Sequence, residues 1–138
     1  MAGTLGWAVA AEATRGMRVG VCENASVRMI PMIDYVRVEP STHEVLRPDV
    51  IVQVGTRLTS KRLNQFLETS AIDHGAEWII IEPTPNRHDP AHCVSVRVES
   101  SIGHASELLE RALNDESGYA MSERKAACVA FADRAVSI

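Results

Sequence analysis

Three cations fall within six residues of the run Val54-Gly55-Thr56-Arg57-Leu58-Thr59-Ser60-Lys61-Arg62. The run follows a β-branched segment and leads into a stretch of helical periodicity. It therefore reads as the carboxyl end of a strand joined to the start of a helix, the place where open α/β sheets bind ligands. A helix N-terminus carries partial positive charge, so Lys61 and Arg62 in the first turn oppose the macrodipole by about 0.3–1 kcal/mol each. A segment selected for helix stability alone would carry Asp or Glu there. The cations make sense if an anion docks at this end beside exposed backbone N–H groups. Arg57 and Arg62 offer the planar two-point fork that suits a carboxylate, and Lys61 a compact charge. The plainer alternatives are a solvated helix start or pairing with a neighbouring chain. Tight nucleotide binding is not indicated: the run lacks the spaced glycines of a Walker loop, and no G-x-G-x-x-G occurs anywhere in the chain.

A second group, Arg87-His88-Asp89-Pro90-Ala91-His92-Cys93, contains four residues able to ligate a metal. Pro90 prevents the two histidines from converging on one helical face, and no second cluster completes a site. The reading favoured here is structural, with Asp89 accepting backbone N–H bonds in the loop ahead of a strand. His43, His74 and His104 stand alone. No serine lies in a G-x-S-x-G elbow, so no nucleophile–base pair can be named. Glu107, Glu110 and Arg111 read as a solvated helix face.

These groups must be positioned by secondary structure, and the hydrophobic pattern supplies it. Leu5 to Ala11 is of strand length. Val50 to Val54 is a nearly continuous β-branched run suited to a strand buried on both faces, closed by Gly55. Ser60 to Thr69 reads as a helix with Leu63, Phe66 and Leu67 on one face, and Gly75 breaks the chain before the next strand. Trp78 to Ile81 is a second buried strand, residues 82–86 are loop, and Cys93 to Val98 alternates as a strand with one face less buried. Ser101 starts a helix with the stripe Ile102, Ala105, Leu108, Leu109 and Ala112, ending at Asn114. Ser122 opens a last amphipathic helix with Val129, Ala132 and Val136 as core candidates. Ser41 to Glu44 suggests a helical turn, and residues 12–45 otherwise admit a short helix, a strand at Tyr35–Val38, or loop. The order strand, helix, strand, loop, strand, helix is that of an α/β fold with a mostly parallel sheet and right-handed crossovers.

Length and composition agree with this. One domain fits 138 residues, with 46% hydrophobic and 23% charged residues. The net charge of −4 and an aromatic content of 4% disfavour nucleic-acid binding, which needs basic surface or stacking rings. No apolar run approaches a membrane span, and the first twenty residues do not pattern as a signal peptide. Cys22, Cys93 and Cys128, without a CxxC, read as reduced thiols filling small apolar positions.

The run from Arg47 to Gln65, with its Gly55-Thr56-Arg57-Leu58-Thr59-Ser60-Lys61-Arg62-Leu63 core, resembles the central domain of the SEPHCHC synthase family. These are thiamine-diphosphate enzymes of menaquinone and phylloquinone synthesis (2-succinyl-5-enolpyruvyl-6-hydroxy-3-cyclohexene-1-carboxylate synthases). The family pattern there is a strand, then Gly-Ser-x-Leu-Thr-Gly-Lys-Arg-Leu. Glu77 to Ile81 followed by Arg87-His88-Asp89-Pro90-Ala91-His92 is similar to the family's next strand and its Arg-x-Asp-Pro-x-His loop. Leu5-Gly6-Trp7 looks like its Gly-Trp-Pro strand, with Ala8 in place of the proline. The similarity spans about residues 5–113 and is weak before residue 45.

The resemblance implies a Rossmann-like, three-layer middle domain over residues 1–138, with its core at 5–114 and with 115–138 as a hinge and helix leading toward another domain. It implies thiamine-binding domains on either side, which hold thiamine diphosphate and Mg²⁺. It also implies small carboxylate substrates contacted by Lys61 and Arg62, with Arg57 beside them, and a reaction joining decarboxylated 2-oxoglutarate to isochorismate. The segment would hold no cofactor and would be inactive alone, as a fragment of a homo-oligomeric, soluble enzyme of a bacterial cytoplasm or plastid stroma. The other function class open at this point is a non-catalytic regulatory or assembly domain that binds an anionic metabolite through the same cations.

Overall fold

The computed structural model describes residues 7–11, 28–30, 45–85 and 89–115. The chain divides into two compact units, Met1–Leu46 with Glu110–Ile138, and Arg47–Leu109. In the first, β1 (Ala8–Ala10) pairs in parallel with β2 (Arg28–Ile30), Ala10 opposite Ile30, and Ala11 and Ile30 are buried. The helical turn expected at Ser41–Glu44, the strand expected at Tyr35–Val38 and the last helix from Ser122 lie outside the described residues, as do Cys22 and Cys128.

The second unit is a parallel sheet of three strands, β3 (Val50–Val54), β4 (Glu77–Glu82) and β5 (Val96–Glu99), in that spatial order. Helix α1 (Lys61–His74) joins β3 to β4, and α2 (Ile102–Asp115) follows β5. The α/β class and parallel sheet read from the sequence are the observed ones. Because the strand order advances in one direction, right-handed crossovers put both connections on one face of the sheet. The packing agrees. Ile51 lies opposite Trp78 in the register, and Ile80 lies two residues farther along β4, so all three share a face. Leu67 and Ala71 of α1 and Cys93 and Val94 of the second connection pack against that same cluster of Ile51, Ala76, Trp78 and Ile80.

Helix α1 is set by its ends. The Ser60 hydroxyl accepts the Leu63 N–H at 3.2 Å as N-cap. At the other end Gly75 takes a left-handed φ of 69°, and the Ala76 N–H reaches the Ser70 carbonyl at 3.0 Å. The helix runs five residues beyond Thr69, to His74. Polarity at Ser70 and Asp73 hides its continuation, and buried Ser70 is accommodated by donating its hydroxyl to the Phe66 carbonyl at 2.8 Å.

Two expectations shift. The strand read as Cys93–Val98 is formed only over Val96–Glu99, because the Asp89 carboxylate takes the Cys93 and Val94 N–H groups at 3.0 and 3.1 Å. On α2, Ala105 is buried, whereas Ile102, Leu108 and Leu109 are exposed, so periodicity located the stripe without a described partner for it. Ser101 starts that helix, accepting the His104 N–H at its hydroxyl. No helix among the described residues is long and apolar enough to cross a membrane.

Candidate functional site

The basic loop begins where β3 ends. Gly55 has a φ of 88°, a region that glycine enters without strain, and its N–H still donates to the Ile81 carbonyl of β4 at 2.8 Å. The chain then leaves the sheet for five residues and enters α1. Arg57, Lys61 and Arg62 are all exposed, and the first turn of α1 holds no acidic residue. Among the described residues, none of the three cations has a carboxylate within ion-pair distance. The three sequence-predicted residues are thus brought to one edge of the sheet, at the carboxyl end of β3.

Side-chain amides pin this loop from both sides. Gln53 Nε2 donates to the Thr56 carbonyl at 3.1 Å. Asn64 Nδ2 donates to the carbonyls of Leu58 and Ser60 at 3.1 and 2.9 Å. Both residues escape a reading based on charge. The available signal is that each violates a local preference: an amide inside a run of β-branched residues, and an Asn in the first turn of a helix. What such a loop can do chemically is hold an anion, with charge-assisted hydrogen bonds from fork and ammonium.

The Asp89 loop lies elsewhere. Ser95 donates its N–H to the Trp78 carbonyl at 2.8 Å and accepts the Trp78 N–H at its hydroxyl at 3.2 Å. Residues 93–95 therefore flank the start of β4, separated from the basic loop by about 10 Å of strand. The two motifs that carry the family resemblance sit at opposite ends of the sheet. Asp89 has the structural role expected of it, and His92 is exposed with a left-handed φ of 53°; Arg87 and His88 lie outside the described residues. Among the described residues, no three or more His, Cys, Asp or Glu groups converge as a metal site.

Cys93, half-buried, points its thiol at Asp89 Oδ1, 3.7 Å away. Burial first, then the charges of Asp89 and Glu68, push the thiol above its ordinary value of 9.0. Ionisation is thus harder in the folded chain than in the unfolded one. Its contribution to stability is complete below the ordinary value and is lost as pH rises through the folded one. With Cys22 and Cys128 replaced by Ser, Cys93 is expected to alkylate several-fold more slowly than free cysteine near pH 8. Asp89→Asn should speed the reaction; a rate equal to that of free cysteine in the parent chain would contradict the assignment.

A third polar feature was not anticipated. Glu82, at the end of β4, is buried and accepts Arg97 Nη1 of β5 at 3.0 Å. Sequence patterning showed Glu82 only as the first residue of a loop.

The family model for the middle domain of thiamine pyrophosphate enzymes matches residues 1–131. The chain is 33% identical over 107 residues, 74% of its length, to the chloroplastic protein PHYLLO of Arabidopsis thaliana, covering 6% of that protein. It is 33% identical over 111 residues, 80% of its length, to 2-succinyl-5-enolpyruvyl-6-hydroxy-3-cyclohexene-1-carboxylate synthase of Salinibacter ruber, covering 18% of it. The same synthase of Photobacterium profundum is 40% identical over 75 residues, 53% of this chain and 12% of that one. The chain therefore spans less than a fifth of each of these relatives. No solved structure gives a significant match.

Proposed function

Because the chain belongs to the family of thiamine pyrophosphate enzyme middle domains, we propose that it is the middle domain of a SEPHCHC synthase in menaquinone or phylloquinone synthesis. In this reading Arg57, Lys61 and Arg62 meet the carboxylates of the substrates. The reaction joins decarboxylated 2-oxoglutarate to isochorismate, and both substrates bear carboxylates that an exposed cation cluster can hold. The observation that carries the reading is the basic edge itself: three cations at a strand's carboxyl end, two of them against a helix macrodipole, with no carboxylate at ion-pair distance among the described residues and no acid in that first turn. An external anion is the simplest source of the missing charge.

Thiamine diphosphate, when bound, supplies the carbanion chemistry. The described residues offer no converging set for its Mg²⁺, so no step on the cofactor is assigned to them. Flanking domains of the same protein hold it in this reading. This segment binds and orients the substrate. The complete enzyme is a homo-oligomer of a bacterial cytoplasm or plastid stroma.

The test is kinetic. In the complete synthase, Lys61→Ala or Arg62→Ala should raise KM for a carboxylate substrate about tenfold, the low end of the 1.5–3 kcal/mol of a charged hydrogen bond, because both residues are exposed. Added salt should shrink the difference between variant and parent. Unchanged kcat/KM in both variants would reject the role.

A further inference from the structure

Resting on the carboxylate reading of the basic edge, we propose that Gln53 and Asn64 are positioning residues, whose amides fix the loop 55–60 so that Arg57, Lys61 and Arg62 present their charges together. The carbonyls of Thr56, Leu58 and Ser60, alternate residues along the loop, are all engaged by these two side chains. Asn64 Nδ2 spends both its hydrogens on the loop, and its own backbone N–H donates to the Ser60 carbonyl at 3.0 Å. Asn64 is thereby fixed to the N-cap residue through main chain and side chain at once. No cation of the loop makes any of these contacts, and Thr56, Arg57 and Thr59 are exposed while Leu58 and Ser60 are half-buried.

The residue types support the same role. An Asn in the first turn of a helix is a poorer helix former than Leu, Glu or Ala, and a Gln on the core-facing side of β3 gives up apolar burial beside Ile51 and Ile80. Each local cost is explained by the bond it makes to the loop. Three like charges on a short exposed segment repel one another and would spread it. Neutral amides bind the carbonyls without adding charge, leaving the cations for a ligand. A preformed loop loses less entropy when a carboxylate arrives.

Two measurements test this. Hydrogen exchange of the full chain carrying Asn64→Leu should show at least tenfold faster exchange within 55–63, with the β4 amides of Ile79–Ile81 unchanged. In the complete synthase, the same variant should raise KM for the carboxylate substrate several-fold while kcat stays within twofold, with partial rescue by Asn64→Gln. In an Arg57→Ala/Lys61→Ala/Arg62→Ala background it should raise KM no further, since it acts through those three cations. Unchanged exchange in 55–63, equally faster exchange throughout the sheet, or an undiminished KM effect in the triple-variant background would each overturn the positioning role while leaving the carboxylate reading intact. Unchanged KM in Lys61→Ala and Arg62→Ala would overturn the carboxylate reading and the positioning role with it.

Discussion

Trp78→Ala is expected to remove about 3–5 kcal/mol of folding stability, the range for truncating a large buried aromatic. Trp78 is 5% exposed at the centre of the cluster formed with Ile51, Ala76 and Ile80, with Leu67, Ala71, Cys93 and Val94 against it. It thus joins the sheet to both connections that cross this face. Against a whole-domain stability of roughly 5–15 kcal/mol, the loss is between about a fifth and the whole. Trp78→Phe should behave differently. The indole Nε1 is buried without a hydrogen-bond partner among the described residues, a condition that costs about 1–3 kcal/mol. Phenylalanine removes that donor along with part of the ring volume, so the two effects oppose each other and the net change should stay within about 1 kcal/mol. Urea denaturation followed by circular dichroism measures both variants. A loss below about 1 kcal/mol for Trp78→Ala would show that this face is not the core.

The strand at Val50–Val54 and the helix start at Ser60 are legible because each rests on a local signal, β-branched continuity and a capping hydroxyl; the helix end is not, because the polar residues after Thr69 hide its run to His74. The loop role of Asp89 was legible because Pro90 removed the competing helical geometry. The early end of β5 was not, because alternation continues through Cys93 and Val94 while a carboxylate four and five residues upstream captures their N–H groups. The same limit applies to the basic edge. Its cations were visible as charges in the wrong place on a helix. The amides of Gln53 and Asn64 were not, since an uncharged side chain reveals its partner only once the backbone has turned. Nor could spacing show that the Asp89 motif lies at the other end of the sheet. That follows from the parallel return of β5, which brings Ser95 beside Trp78.

Arg97→Met is expected to destabilise the fold more than Glu82→Gln does, although both break the same ion pair. The Glu82 side chain is 7% exposed and that of Arg97 28%. Removing the cation leaves a buried carboxylate uncompensated, which costs about 3–5 kcal/mol when burial is complete. Removing the anion leaves a guanidinium that water partly reaches, and glutamine keeps an oxygen for it, so about 1–2 kcal/mol is the scale. The double variant Glu82→Leu/Arg97→Met should recover most of the loss, because apolar side chains of similar volume replace buried pairs at little net cost. Urea denaturation of the parent, the two single variants and the double variant measures these losses; equal losses in the two single variants would show that the asymmetry of burial does not govern the pair. The position of the pair adds a second consequence. Glu82 follows Ile81, whose carbonyl holds Gly55, so its charge lies at the carboxyl edge where the basic loop begins. Paired with Arg97, it is a poor competitor for Lys61 and Arg62. Unpaired, it becomes an internal anion at the same edge. Arg97→Met should therefore also raise KM for a carboxylate substrate of the complete synthase, an effect that the double variant, lacking both charges, should reverse.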